Sequence, residues 1–195
     1  MVDIVVRTDK ITLKSGSDSP IYIDMRQLYG YPNLWQLMAD LYWQKMHDLH
    51  FDVICGVPLT AILFSTVIAF TREIPLIIKR NTVKEYGTKQ LIQGKFEAGQ
   101  KAIVVEDVAT SGRSILETVV GLRNVGLVVE DAIVFVDRKQ SAAANLAKYG
   151  IKLSSVFQIS DITSFMVSER KISAEEEASI EEWLQNNQEK ITNTG

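Results

Sequence analysis

The sequence predicts an α/β domain, a central and mainly parallel sheet flanked by helices, with a small N-terminal hood. Two observations carry that expectation. Apolar runs of strand length recur at Val53–Gly56, Leu76–Lys79, Lys101–Val105 and Ala132–Val136, and helix-compatible or loop sequence flanks each of them. Strands that alternate with helices pair in parallel through crossovers, so these runs belong to one sheet. With 195 residues and 46% apolar content, the chain can bury a full core as one domain spanning 1–195.

The hood, residues 11–32, begins with two β-prone runs, Ile11–Leu13 and Ile21–Asp24. Between them Lys14-Ser15-Gly16-Ser17-Asp18-Ser19-Pro20 has the glycine, serines and proline of a turn, so a small hairpin is expected. From Asn33, a plausible N-cap, Leu34, Leu37, Met38, Leu41, Tyr42, Met46 and Leu49 recur at helical spacing. The helices between the strands are expected at Leu59–Phe70, Ser114–Asn124 and Ala142–Tyr149, the last two stopping before Gly126 and Gly150. Ser173-Ala174-Glu175-Glu176 has capping-box spacing, and Ile180, Trp183 and Leu184 follow on one face. Residues 173–195 therefore read as a terminal helix with a polar, frayed end.

Composition excludes several function classes. The net charge of −3 and the lack of a basic run give no field for a phosphate polymer, so nucleic acid is not an expected partner. Cys55 is the only cysteine, which rules out an internal disulfide framework and fits a reducing compartment. Charges at Asp3, Arg7, Asp9 and Lys10 leave no apolar stretch for a signal peptide or a membrane span, and a soluble, cytoplasmic protein is expected. His47 and His50 read as exposed helix-end residues, and the three tryptophans, Trp35, Trp43 and Trp183, as packing residues.

The segment Lys101-Ala102-Ile103-Val104-Val105-Glu106-Asp107-Val108-Ala109-Thr110-Ser111-Gly112-Arg113-Ser114 carries the chemistry: a strand, two adjacent acids, a hydroxyl-rich loop, then a helix. Thr110, Ser111 and Ser114, with the N–H groups of the loop and helix start, can surround a phosphate dianion that the helix dipole also favours. The acids would repel phosphate, but carboxylates accept hydrogen bonds from a vicinal diol. A ribose 5-phosphate lying along the loop satisfies both. Neither a G-x-x-x-x-G-K-[ST] loop nor a G-x-G-x-x-G turn occurs. Adjacent acids alone would read as solvated side chains.

This constellation resembles the signature of the type I phosphoribosyltransferases, and three further segments resemble the orotate-specific branch, including the orotate domain of eukaryotic UMP synthase. They are Leu13-Lys14-Ser15-Gly16 with Ser19-Pro20-Ile21-Tyr22-Ile23-Asp24, then Lys84-Glu85-Tyr86-Gly87-Thr88-Lys89, then Val136-Asp137-Arg138-Lys139-Gln140. With Cys55-Gly56-Val57-Pro58 the similarity spans about Ile11 to Ile162. The resemblance implies a type I phosphoribosyltransferase fold and transfer of the phosphoribosyl group of phosphoribosyl pyrophosphate to orotate. Lys14, Arg80, Lys84, Tyr86, Glu106, Asp107, Val108, Ala109, Thr110, Ser111, Gly112, Arg113 and Ser114 would bind phosphoribosyl pyrophosphate. Tyr22, Ile23, Thr110 and Arg138 would bind orotate, Arg138 as the cation for its carboxylate. Taken alone, Arg138 beside Asp137 reads as a surface ion pair.

By the same resemblance Lys84, Asp107 and Glu106 are the catalytic residues. Residues 79–96 form a mobile lid whose Lys84 reaches the neighbouring subunit's site, which implies a homodimer with shared active sites. The implied cofactor is Mg2+, held mainly through pyrophosphate and water, with no direct protein ligand. Asn81 stands where relatives usually carry a lysine, Arg113 replaces a small loop residue, and Ser141-Ala142 replace a glycine pair. Asn81 and Arg113 keep one alternative open, a non-catalytic relative that binds phosphoribosyl pyrophosphate as a regulator; a transferase for another base is a further alternative, against which Arg138 argues. As no decarboxylase domain follows, the next step towards UMP is expected on a separate polypeptide.

Overall fold

The computed structural model describes residues 6–8, 11–12, 18–80, 91–189 and 191. The hood contains β1 (Val6–Arg7), β2 (Ile11–Thr12), β3 (Asp18–Ser19), β4 (Tyr22–Ile23) and a 3-10 helix (Met25–Gly30). The body follows as α1 (Pro32–Met46), β5 (Val53–Gly56), α2 (Thr60–Arg72), β6 (Leu76–Lys79), β7 (Ile92–Gln93), β8 (Ala102–Ala109), α3 (Arg113–Arg123), β9 (Asp131–Asp137) and α4 (Ala142–Ala147). It ends with β10 (Lys152–Gln158), α5 (Ile159–Ser168) and α6 (Ala174–Asn186). No helix among the described residues is long and apolar enough to cross a membrane.

Strands β5 to β10 make one six-stranded sheet in the order β10-β9-β8-β5-β6-β7. Its pairs are parallel except β6-β7, so the expected mainly parallel sheet is present. The chain winds outward from β5 in one direction and from β8 in the other. The winding therefore reverses between β5 and β8, and the carboxyl ends of these two strands open the crevice where such sheets place their ligands.

Successive side chains of a strand point to opposite faces, and the core divides accordingly. Ile54, Ile103, Val105, Ile133 and Phe135 pack with Met38, Tyr42, Phe64 and Met166 on one face. Val53, Cys55, Val104, Ala132 and Val134 pack with Ile115, Val119 and Leu146 on the other. Gly56 is required where β5 meets α2, since a Cβ there would lie 2.8 Å from the Ala61 carbonyl oxygen.

Several expectations are corrected. Ile11–Thr12 pairs with Asp18–Ser19, while Tyr22–Ile23 pairs with Val6–Arg7, so the hood holds two short ribbons in place of one hairpin. Pro20 has no N–H to give a ladder and divides the extended run. Helix α1 starts at Pro32 with Tyr31 as its cap, not at Asn33. Proline suits the first helical position, where the missing N–H costs nothing. Strand β8 continues past Val105 through both acids to Ala109, because β9 offers it a ladder as far as Asp137. Helix α4 is shorter than expected, ending at Ala147. Helix α6 ends at Asn186, and beyond it the Glu189 N–H donates to the Gln140 carbonyl at 3.3 Å.

Candidate active site

The site is assembled at the carboxyl end of β8. Glu106 is 5% exposed, so this acid is not simply solvated. Its Oε1 accepts from the Asp107 N–H at 3.0 Å and its Oε2 accepts from the Ser114 hydroxyl at 2.5 Å. Burial, then the neighbouring Asp107 charge, pushes the Glu106 carboxyl well above the ordinary glutamate range. Asp107 is half-buried, and its Oδ1 accepts from the Val108 N–H at 2.8 Å. One acid of the pair is therefore held inside the fold while the other faces the crevice.

The backbone at Glu106 is fixed from below. The Tyr42 hydroxyl, fully buried between Phe64 and Phe135, donates to the Glu106 carbonyl at 2.8 Å. Burial and the charges of Asp107 and Glu106 raise the Tyr42 phenol, so it stays a donor. The sequence marked Tyr42 as a packing residue only, since its hydroxyl partner lies 64 positions away.

Beyond Ala109, Thr110, Ser111 and Gly112 turn into the N-terminus of α3, where the first N–H groups have no partner within the helix. Gly112 has φ +82, and a Cβ there would lie 3.0 Å from Leu146 Cγ, so the turn needs glycine for its dihedral and for its approach to α4. The Ser111 carbonyl accepts from Asn145 Nδ2 at 3.0 Å. Val108 is half-buried, and the Arg113 and Ser114 positions are exposed. The hydroxyl of Ser114, expected at the phosphate, points to Glu106.

Arg138 comes from the turn after β9, whose N–H donates to the Ala109 carbonyl at 3.0 Å. It is no surface ion pair: it is 4% exposed, and its Nη2 donates to the Ser19 hydroxyl at 3.2 Å and the Ile21 carbonyl at 3.4 Å. Its Nε has no hydrogen-bond partner among the described residues. Desolvation lowers its pKa. Lys139 supplies the ion pair to Asp137 instead, at 3.5 Å.

The structure thus brings Arg138 against Ser19 and Ile21, the residues that lead into the Tyr22–Ile23 strand. Tyr22 is linked onward, its hydroxyl accepting from Arg26 Nη2 at 3.1 Å. Arg26 Nε donates to Asp24 Oδ1 at 2.6 Å and holds that carboxyl below its usual range. The Tyr29 hydroxyl donates to the Thr60 carbonyl at 3.2 Å, which ties the hood to the start of α2. In the sequence Asp24 closes a β-prone run and the family-like segment Ser19–Asp24, and no local pattern singles out Arg26. Arg80 closes β6, its N–H donating to the Leu91 carbonyl at 2.9 Å. Lys14, Asn81, Lys84 and Tyr86 lie outside the described residues.

Fold and site define a class of α/β proteins in which adjacent acids, a hydroxyl-rich turn and a helix start share one strand-loop-helix unit. The family model of the phosphoribosyl transferase domain matches residues 24–162. The chain belongs to this phosphoribosyltransferase family, among its orotate phosphoribosyltransferases. It is 40% identical over 177 residues to uridine 5'-monophosphate synthase of Bos taurus, covering 90% of this chain and 37% of that protein. It is 38% identical over 171 residues to orotate phosphoribosyltransferase of Caenorhabditis elegans, covering 87% and 75% of the two chains. The solved structure of Leishmania donovani UMP synthase superposes with a TM-score of 0.86 at 32% identity, over 95% of this chain and 40% of that one. The chain therefore spans well under half the length of the two synthases.

Proposed function

We propose that this chain transfers the phosphoribosyl group of phosphoribosyl pyrophosphate to orotate, giving orotidine 5'-monophosphate and pyrophosphate on the route to UMP. The observation that carries this reading is the set of groups at one end of the sheet: Glu106 and Asp107 on β8, the Thr110–Gly112 turn at a helix start, and buried Arg138 after β9 with an unpaired Nε. A buried donor without a partner is uncommon and calls for one. The orotate carboxylate supplies it, with Thr110 and the Tyr22–Ile23 backbone completing the base site.

Loss of pyrophosphate leaves positive charge on the ribose ring and negative charge on the leaving group. Asp107 accepts from the ribose hydroxyls and faces the developing positive charge. Glu106, kept in place by Ser114 and the Asp107 N–H, orients Asp107 and supplies the second carboxylate. The loop amides and α3 hold the 5-phosphate, and Arg80, Lys84 and Lys14 hold the pyrophosphate, with Tyr86 on the same lid. Closure of 79–96 excludes the water that competes with orotate for the same carbon.

Magnesium fits this donor set. Asp107 is a half-buried carboxylate at the mouth of the site, and one carboxylate with substrate phosphates and water is a common arrangement for this ion. Asp107 would hold it through water, and the ion would supply charge neutralisation of the pyrophosphate. The reading also takes the chain as a cytoplasmic homodimer in which Lys84 serves the partner's site.

The test is turnover of purified protein with magnesium, phosphoribosyl pyrophosphate and a series of bases. Orotate consumption is expected, and Arg138→Ala should cost on the order of 10² to 10³ in rate with orotate. Asn81 and Arg113 favour a second reading, a regulator that binds the sugar without chemistry. Calorimetric binding of both substrates with no product would establish that reading instead.

A further inference from the structure

Residues Asn187–Glu189 cross the sheet from one covered face to the other. Ile180 and Leu184 of α6 pack on the face of Tyr42 and Phe135, whereas Ile191 packs against the opposite cluster. In crossing, the segment is bonded to the turn that carries Arg138. Gln188 Nε2 donates to the Lys139 carbonyl at 3.0 Å, and Gln188 Oε1 accepts from the Ser141 hydroxyl at 2.6 Å. Those two residues have positive φ, 58 and 82, which side chains other than glycine rarely adopt. Gln140, 1% exposed, donates through Nε2 to the Asn187 carbonyl at 2.8 Å.

A second joint leads to the phosphate turn. Asn145, 3% exposed, uses its amide nitrogen to donate to the Ser111 carbonyl at 3.0 Å and to the Glu189 carbonyl at 2.9 Å. Asn187–Glu189, the Arg138 turn and the Thr110–Gly112 turn thus form one hydrogen-bonded unit.

We propose that Asn187–Glu189 is a strap that positions both turns, the Arg138 turn through Gln188 and the phosphate turn through Asn145, so that Gln188 governs orotate affinity and Asn145 sugar affinity. The inference rests on the reading in which Arg138 and Thr110–Gly112 face the two substrates. Gln188 and Asn145 are positioning residues that need touch neither.

The experiment uses the full chain with Gln188→Ala and Asn145→Ala. Losing one such bond is worth roughly a fivefold change. Gln188→Ala should raise KM for orotate by about that factor while KM for phosphoribosyl pyrophosphate stays within about twofold. Asn145→Ala should reverse the pattern. Adding Ser141→Gly to Gln188→Ala should restore orotate KM, because glycine holds φ 82 without support. Hydrogen exchange without substrate is the independent arm. Amides of 138–141 should exchange about fivefold faster in Gln188→Ala while β8 is unchanged. Unchanged exchange there, or a KM pattern that does not split between the substrates, overturns the strap. Faster exchange in a protein that never consumes orotate upholds the strap and removes the orotate reading alone.

Discussion

Tyr42 and Glu106 show how a single buried contact sets the chemistry above it. Removing the Tyr42 hydroxyl leaves the Glu106 carbonyl without its 2.8 Å donor. Tyr42→Phe should therefore lower unfolding free energy by about 1–3 kcal/mol in denaturant titration. Glu106 itself gives a pH signature. Its folded pKa lies above the ordinary value near 4.5, so between the two the folded chain holds more protons than the unfolded one. Stability then falls as pH rises through that window, and the penalty is absent below it. Gln mimics the protonated side chain, so Glu106→Gln should flatten the decline of Tm from acid towards neutral pH. A profile as steep as the parent's would place the burial cost elsewhere.

Among the elements, the β8-turn-α3 unit concentrates the constraints. Gly112→Ala must hold φ +82 with a Cβ 3.0 Å from Leu146 Cγ. It should cost about 1–3 kcal/mol in stability and raise KM for phosphoribosyl pyrophosphate, as seen by thermal unfolding and initial rates. This unit was legible in the sequence because its residues are contiguous: strand, acids, hydroxyls, glycine and helix follow one another. The sheet strands were legible as apolar runs. Strand β10, Lys152–Gln158, and helix α5 were not read, since β10 lies at the sheet edge and its Ser154-Ser155 centre is polar. The hood ribbons were misassigned because strands of two residues are paired by tertiary contact, not by pattern. Asn145 and Gln188 act on carbonyls 34 and 49 positions away, and no local spacing encodes that.

For the whole molecule, the reversal of winding between β5 and β8 explains why one sheet end gathers the acids, the Thr110–Gly112 turn and Arg138. The proposed dimer is tested at this scale. Asp107→Asn and Lys84→Ala chains, each impaired alone, should regain activity above either parent when mixed, because one heterodimer site escapes both lesions. Recovery no better than the parents would assign Lys84 to its own subunit's site. The two-faced core has a last consequence for how the chain can change. Side chains of β8 alternate between the two clusters, Ile103 and Val105 in one and Val104 in the other. One residue inserted before Glu106, unless a bulge absorbs it, turns each later side chain to the wrong side. Growth within this strand obeys a parity rule, even steps or none, and variation in length is left to the loops.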